Sequence, residues 1–278
     1  MVANPDGIRG TYGSAGRRWM SDQEERSVEV NGHPCRVWEK GSGEPLGVLP
    51  GIGGAPRWTP FMETLSAERR VIVPSLPGFP GALGHDILDS HLDWMVATHE
   101  LLMGAGLEGA DLVGASVGGA IAADAVAIWP TIARRLVLIS PYGLYDEHDM
   151  GIDPFAVRPP DIGQCLSANA EAYGSVFGVP EDEDRVDWLV TLSRAQEAAA
   201  RILWPLGDTR LEKRLCRIGV PTLLLWGDRD QIIPRSYADR FAAGINADTR
   251  IETIPGAGHL ADIDEPAATA AAILKFLD

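Results

Sequence analysis

The chain has 278 residues, of which 45% are hydrophobic and 23% charged, and it carries a formal net charge of −15. That length and balance suit one α/β domain with room for an inserted subdomain. A surface so acidic repels phosphate backbones and anionic lipid, which argues against nucleic-acid and membrane partners, and three scattered cysteines (Cys35, Cys165, Cys216) without a CxxC pair argue against a disulfide framework or a zinc site.

Residues 1–25 are rich in Gly, Ser, Arg and Asp and lack the apolar core of a secretory signal, so they read as a flexible arm. No run of eighteen apolar residues occurs, so no spanning helix is expected and the setting is read as cytoplasmic. Residues 27–30 and 34–38 alternate in polarity around Asn31-Gly32, a hairpin signal. Two short buried strands follow, 46–49 and 71–73, with the glycine-rich loop 51–54 and a helix over 57–65 between them. A turn-rich loop (74–84) leads to a helix capped by Asp89 or Ser90, with Leu92, Met95, Val96 and Leu102 as its apolar face. Residues 110–113 read as a strand, 117–129 as a small-residue helix and 135–139 as another strand. This alternation predicts a mostly parallel, doubly wound sheet with the opening hairpin at one edge.

Strand-like runs stop after Ser140-Pro141 and resume at Val220. The stretch 143–213 is helical in pattern, above all over 186–204, and reads as a cap inserted over the C-terminal edge of the sheet. The core is then 26–142 together with 214–278. The acidic run 181–184 reads as a solvated turn or helix start. Residues 220–226 and 250–254 complete the strands, and 266–277 forms a closing helix.

One pentapeptide stands out. Ser116 lies in Gly114-Ala115-Ser116-Val117-Gly118, between a strand-like and a helix-like run. A serine hydroxyl becomes a nucleophile only when it is held clear of the backbone, deprotonated by a base and faced by donors for the oxyanion it creates. A sharp strand-to-helix turn presents it and demands small neighbours. With 31 glycines in the chain the pentapeptide would arise by chance roughly one time in six, so its context decides. Downstream, Gly227-Asp228-Arg229-Asp230 ends one strand, and Gly256-Ala257-Gly258-His259 follows the next. Serine, acid, histidine is the chain order of an α/β-hydrolase triad.

These residues, with Leu49-Pro50-Gly51-Ile52-Gly53-Gly54 and Leu76-Pro77-Gly78-Phe79, give a chain that resembles the α/β-hydrolase superfamily over nearly its whole length after the first 25 residues. The resemblance implies a sheet of about eight strands with a helical cap. It implies Ser116 as nucleophile, His259 as general base and acid, and Asp230 as the group orienting the imidazole. The Gly-x-x-Asp spacing selects Asp230 and leaves Asp228 as a turn residue bonding local amides. The backbone amides of Ile52 and Val117 form the expected oxyanion hole, with Gly51 beside it. Pro50-Gly51 replaces the His-Gly of many members, which changes the loop and keeps the Ile52 amide. Trp58, Phe61, Tyr142, Trp188, Trp204 and Leu260 are the expected substrate-lining residues.

A serine at 116, where dehalogenases and epoxide hydrolases of this superfamily carry aspartate, points away from both. Meta-cleavage product hydrolases, which cut a carbon–carbon bond, are similar in length and cap placement. Their usual asparagine before the serine and tryptophan after the histidine are Ala115 and Leu260 here. The reading that results is a serine hydrolase of a small, fairly apolar carboxylic ester or lactone, using neither metal nor cofactor, with a small-molecule substrate as its partner. A homodimer is compatible with it. The alternatives are carbon–carbon bond hydrolysis and a hydrolase-fold receptor with little turnover.

Overall fold

The computed structural model describes residues 22–158, 161–205 and 207–278. The arm expected over 1–25 lies outside them up to residue 21; its last residues, Glu24 and Glu25, belong to the first strand, where Glu25 accepts a hydrogen bond from the Trp38 indole at 2.8 Å. In chain order the elements are β1 (Glu24–Val30), β2 (His33–Lys40), β3 (Pro45–Leu49), α1 (Pro60–Ser66), β4 (Arg70–Pro74), α2 (His91–Gly104), β5 (Ala110–Ala115), α3 (Ser116–Ile128) and β6 (Ala133–Ile139). Then come α4 (Ile162–Leu166), α5 (Ala170–Phe177), α6 (Arg185–Leu203), β7 (Thr222–Gly227), α7 (Ser236–Gly244), β8 (Thr249–Ile254), α8 (Ala261–Asp264) and α9 (Pro266–Leu277).

The eight strands form one sheet in the order β1-β2-β4-β3-β5-β6-β7-β8. The hairpin β1–β2 and the β2–β4 pair are antiparallel, and every other pair is parallel. Asn31 and Gly32 both take positive φ, as the tight hairpin turn requires. A parallel sheet is covered on both faces, so its strands are continuously apolar and successive residues feed opposite layers. Leu224 joins the layer packed under α2, α3 and α7, whereas Leu223 and Leu225 join the layer under α1 and α9. Among the described residues no helix is long and apolar enough to cross a membrane.

Helix α2 corrects the expected apolar face. Ser90 caps it, with a reciprocal bond from Asp93. Its buried side is Trp94, Met95, Ala97, Thr98, Leu101 and Leu102, while Leu92 and Val96 face out, 68% and 49% exposed. Trp94, Thr98 and Leu101 recur at helical spacing on one side and Leu92 and Val96 lie on the other, so the spacing of the residues, more than their hydrophobicity, marks the contact side.

Between β6 and β7 the described chain is helical, and a buried carboxylate ties its end to the sheet layer. Asp124 on α3 accepts from Arg214 Nη2 at 3.0 Å, from Thr209 Oγ1 at 3.3 Å, and pairs with His91 Nε2 at 2.9 Å. A charge removed from water this completely needs such partners. The network joins α2, α3 and the chain entering β7. Asp184, from the acidic run, caps α6 by accepting from Val186 and Asp187 amides.

Candidate active site

Strand β5 ends at Ala115 and α3 begins at Ser116 with no intervening residue. Ser116 takes φ +53°, a left-handed conformation that costs a non-glycine residue about 1–2 kcal/mol. The turn is tight enough to exclude side chains around it. A Cβ on Gly114 would lie 2.6 Å from the Gly118 carbonyl oxygen, and one on Gly118 would lie 2.4 Å from the oxygens of Leu49 and Pro50. The glycines of the pentapeptide are therefore packing requirements of the bend.

The remote motifs meet that serine. His259 Nε2 is 2.8 Å from Ser116 Oγ, and His259 Nδ1 is 3.1 Å from Asp230 Oδ2. Asp230 Oδ1 accepts from the amides of Ile232 and Ile233 at 2.9 and 3.0 Å, which leaves Oδ2 for the imidazole. The Trp226 indole donates to the Ile233 carbonyl at 2.9 Å and anchors this turn to β7. An ionised carboxylate only accepts, so it holds the proton on Nδ1 and leaves the Nε2 lone pair facing the serine hydroxyl. Burial pushes the Asp230 carboxyl up, but the His259 ring and the Ile233 amide outweigh it and hold the carboxyl below its ordinary range. Asp228 does not make the local turn bonds expected of it. It accepts from the Gly256 amide at 2.7 Å, bracing the loop that carries His259.

The glycine-rich loop lies directly on the serine. A Cβ on Gly51 would sit 3.2 Å from Ser116 Cβ and 3.5 Å from a Leu260 methyl. The Val117 amide is in the first turn of α3, where no intrahelical acceptor exists. Among the described residues no protein acceptor takes the Ile52 amide either. Neither amide expected at an oxyanion therefore has a protein acceptor among the described residues.

A second acid is built in behind the histidine, and sequence reasoning missed it. Asp264 Oδ2 accepts from the Gly258 amide at 2.7 Å and from the Ala168 amide at 2.9 Å, and Oδ1 accepts from the Ser167 hydroxyl. The Leu260 amide donates to the Leu166 carbonyl at 3.1 Å. The histidine loop is therefore fastened to the segment between α4 and α5. Asp262, in the same short helix, is buried with Oδ1 unpartnered among the described residues; burial first and the neighbouring Asp264 second push its carboxyl up to about 6.

A cavity of about 310 Å³ opens beside this group. Its walls include Tyr142, Leu144, Ile152, Phe155, Leu203 and Ile233. The Tyr142 ring stands edge-on to His259 at 5.7 Å, and its amide donates to the Ser116 carbonyl at 3.2 Å. Burial, followed by the charges of Asp230 and Asp153, raises the Tyr142 phenol well above its ordinary value. Trp204 lies at the mouth, 79% exposed. Of the expected lining residues, the structure brings Gly51, Tyr142, Trp204 and Leu260 to the site or its cavity.

It does not bring Trp58, Phe61 or Trp188. Phe61 is buried in the layer beneath α1 and α9, and Trp58 packs on that layer, edge-on to Trp38 at 6.4 Å with its indole bonded to Glu63. The loop after Gly54 passes to the far face of the sheet, so residues that follow the glycine-rich loop closely in sequence end up behind it. Trp188 donates to the Phe177 carbonyl at 2.9 Å and stacks under Arg57, which is packing of the insertion on itself and on the core. The missed walls at Ile232 and Ile233 follow Asp230 immediately, a signal that proximity to the acid offered.

The Alpha/beta hydrolase family model matches residues 48–272. Among curated proteins, monoacylglycerol lipase ABHD6 of Homo sapiens is 25% identical over 245 residues, covering 79% of this chain and 71% of its own length. The dihydrolipoyllysine-residue acetyltransferase component of the acetoin cleaving system of Pseudomonas putida is 28% identical over 264 residues, covering 91% of this chain and 69% of its own. Among solved structures, a bacterial membrane phospholipase A superposes with a TM-score of 0.72 at 25% identity, covering 92% of this chain and 86% of that one. Naproxen esterase from Bacillus subtilis gives 0.72 at 16% identity, with 92% of each chain covered, a likeness of fold alone.

Proposed function

The chain belongs to the Alpha/beta hydrolase family and is a hydrolase, and from that premise we propose that it cleaves a small, fairly apolar carboxylic ester or lactone through an acyl-enzyme on Ser116. The observation that carries this reading is the continuous line from Ser116 Oγ through His259 to Asp230, at 2.8 and 3.1 Å. In this mechanism Ser116 Oγ attacks the carbonyl carbon as its proton passes to His259 Nε2. Asp230 stabilises the imidazolium and keeps the ring oriented. The amides of Ile52 and Val117 hold the oxyanion of the tetrahedral intermediate; one such donor is typically worth about 3 kcal/mol in the transition state. His259 returns its proton to the leaving oxygen, and the alcohol departs. Water then attacks the acyl-serine with His259 as base, releasing the acid and restoring the hydroxyl. No step calls for a metal or an organic cofactor.

The cavity walls support an apolar substrate, and the lipase and phospholipase names of two similar proteins at 25% identity support an ester. Residues 143–213 act in this reading as the cap that roofs the site. The test is labelling with a fluorophosphonate probe followed by peptide mass spectrometry, alongside release from short p-nitrophenyl esters. Modification on Ser116, and loss of both signals in Ser116→Ala, are expected. Turnover that survives Ser116→Ala would refute the assignment, and a stable ligand complex without turnover would favour a receptor.

A further inference from the structure

We propose that the ester has two unequal halves, a long apolar one and a short one, with Phe177 setting the small limit. The inference rests on Ser116 being the nucleophile and adds the shape of what it attacks. Two cavities lie beneath α6 within a helical turn of each other, since Gln196 lines the smaller and Ala200 the larger. From below, the smaller is bounded by Ile52 and Gly53 of the glycine-rich loop, and the larger by Tyr142, Ile232 and Ile233. Ser116 lies between those two floors, with Gly51 against its Cβ and the Tyr142 amide on its carbonyl. A carbonyl held at Ser116 Oγ sends one substituent toward each.

The volumes are about 310 and 30 Å³. The larger cavity therefore has about ten times the room of the smaller. Asp153 is the one charged residue among the described residues of the larger wall, and together with the net charge of −15 it disfavours a carboxylate on the large half. The small side is closed by Phe177, whose ring carbon would lie 2.4 Å from a Cβ on Gly53. The ring cannot simply withdraw. It packs on Tyr173 at 4.9 Å, the Phe177 carbonyl accepts from the Trp188 indole, and the next carbonyl, of Gly178, accepts from Arg57 Nη2 at 2.8 Å. The tryptophan expected at the substrate is thus a brace for the residue that limits it.

The experiment compares four esters by proton release at constant pH: methyl acetate, methyl hexanoate, hexyl acetate and hexyl hexanoate. One of the two singly extended esters should be the best substrate, and kcat/KM for hexyl hexanoate should fall below it by about tenfold or more. Phe177→Ala should close most of that gap, and Phe177→Leu part of it, with folding checked by thermal melting. Hexyl hexanoate cleaved as well as the best singly extended ester would overturn the proposal whether or not the variants fold. So would a gap unchanged in either folded variant. Failure of all four esters together with no fluorophosphonate adduct on Ser116 would instead remove the nucleophile assignment, and this proposal with it.

Discussion

Replacing Asp262 by asparagine should stabilise the protein at neutral and alkaline pH and do nothing at acidic pH. The carboxyl is 9% exposed, one of its oxygens is unpartnered among the described residues, and its native pKa is raised from 3.8 to about 6. The native state therefore holds this proton more tightly than the unfolded chain does. Well below pH 4 both states are protonated and the titration of Asp262 costs nothing. As pH rises from 4 through 6 the unfolded chain ionises freely while the native one must ionise in a buried site, and stability is lost. The loss is complete above pH 7. About two units at 1.36 kcal/mol each give about 3 kcal/mol, an upper figure. Asparagine keeps the shape and removes the charge. Urea unfolding of both proteins, followed by tryptophan fluorescence at pH 4, 6 and 8, gives the difference in stability at each pH, and other titrating groups cancel between them. An advantage for Asp262→Asn that grows from near zero at pH 4 to a few kcal/mol at pH 8 is expected. A difference flat with pH, or asparagine destabilising most at pH 8, would refute the reasoning.

Two further outcomes test the roles of the acids. Asp230→Asn should lower kcat by about 10⁴, because the amide no longer fixes the imidazole tautomer, whereas Asp228→Asn, which touches only the Gly256 amide, should cost far less; equal losses would reverse the assignment. Asp264→Ala should slow both turnover and fluorophosphonate labelling by about 100-fold through a displaced His259, while Asp264→Asn retains most activity, since one oxygen can still accept both amides and the new NH₂ can donate to Ser167. An alanine variant with wild-type labelling kinetics would show that the bridge does not position the base.

What was legible in the sequence is what short stretches of backbone dictate. The elbow at Ser116, the acid three residues beyond Gly227 and the histidine after Gly258 each depend on a strand end and a glycine turn, so they can be read locally. The hairpin at Asn31-Gly32 and the closing helix are of the same kind. The errors share another origin. Trp58 and Phe61 were placed at the substrate because they follow the oxyanion loop, but which face of the sheet a helix covers is decided by layer packing. The α2 face differs because Leu92 and Val96, though apolar, lie across the helix from the buried stripe of Trp94, Thr98 and Leu101. Asp264 was invisible because its partners, Ser167 and Ala168, lie 97 and 96 residues away.

Asp264 and Asp124 tie the chain between β6 and β7 to the rest of the fold, one at Ser167 and Ala168 between α4 and α5, the other at Thr209 and Arg214 on the way into β7. Both carboxylates belong to the permanent framework, on the helices that flank the histidine and carry the serine. This is the geometry of a socket with two keyed pins. A foreign insertion transplanted between β6 and β7 would seat only if it supplied a hydroxyl and an amide for the first pin and a guanidinium for the second. Without them Asp264 would keep the Gly258 amide and Asp124 the His91 ring, and each would lose its other partners in the interior. Recombination among relatives of this protein is therefore constrained at those two junctions, and the helices between them are comparatively free to diverge.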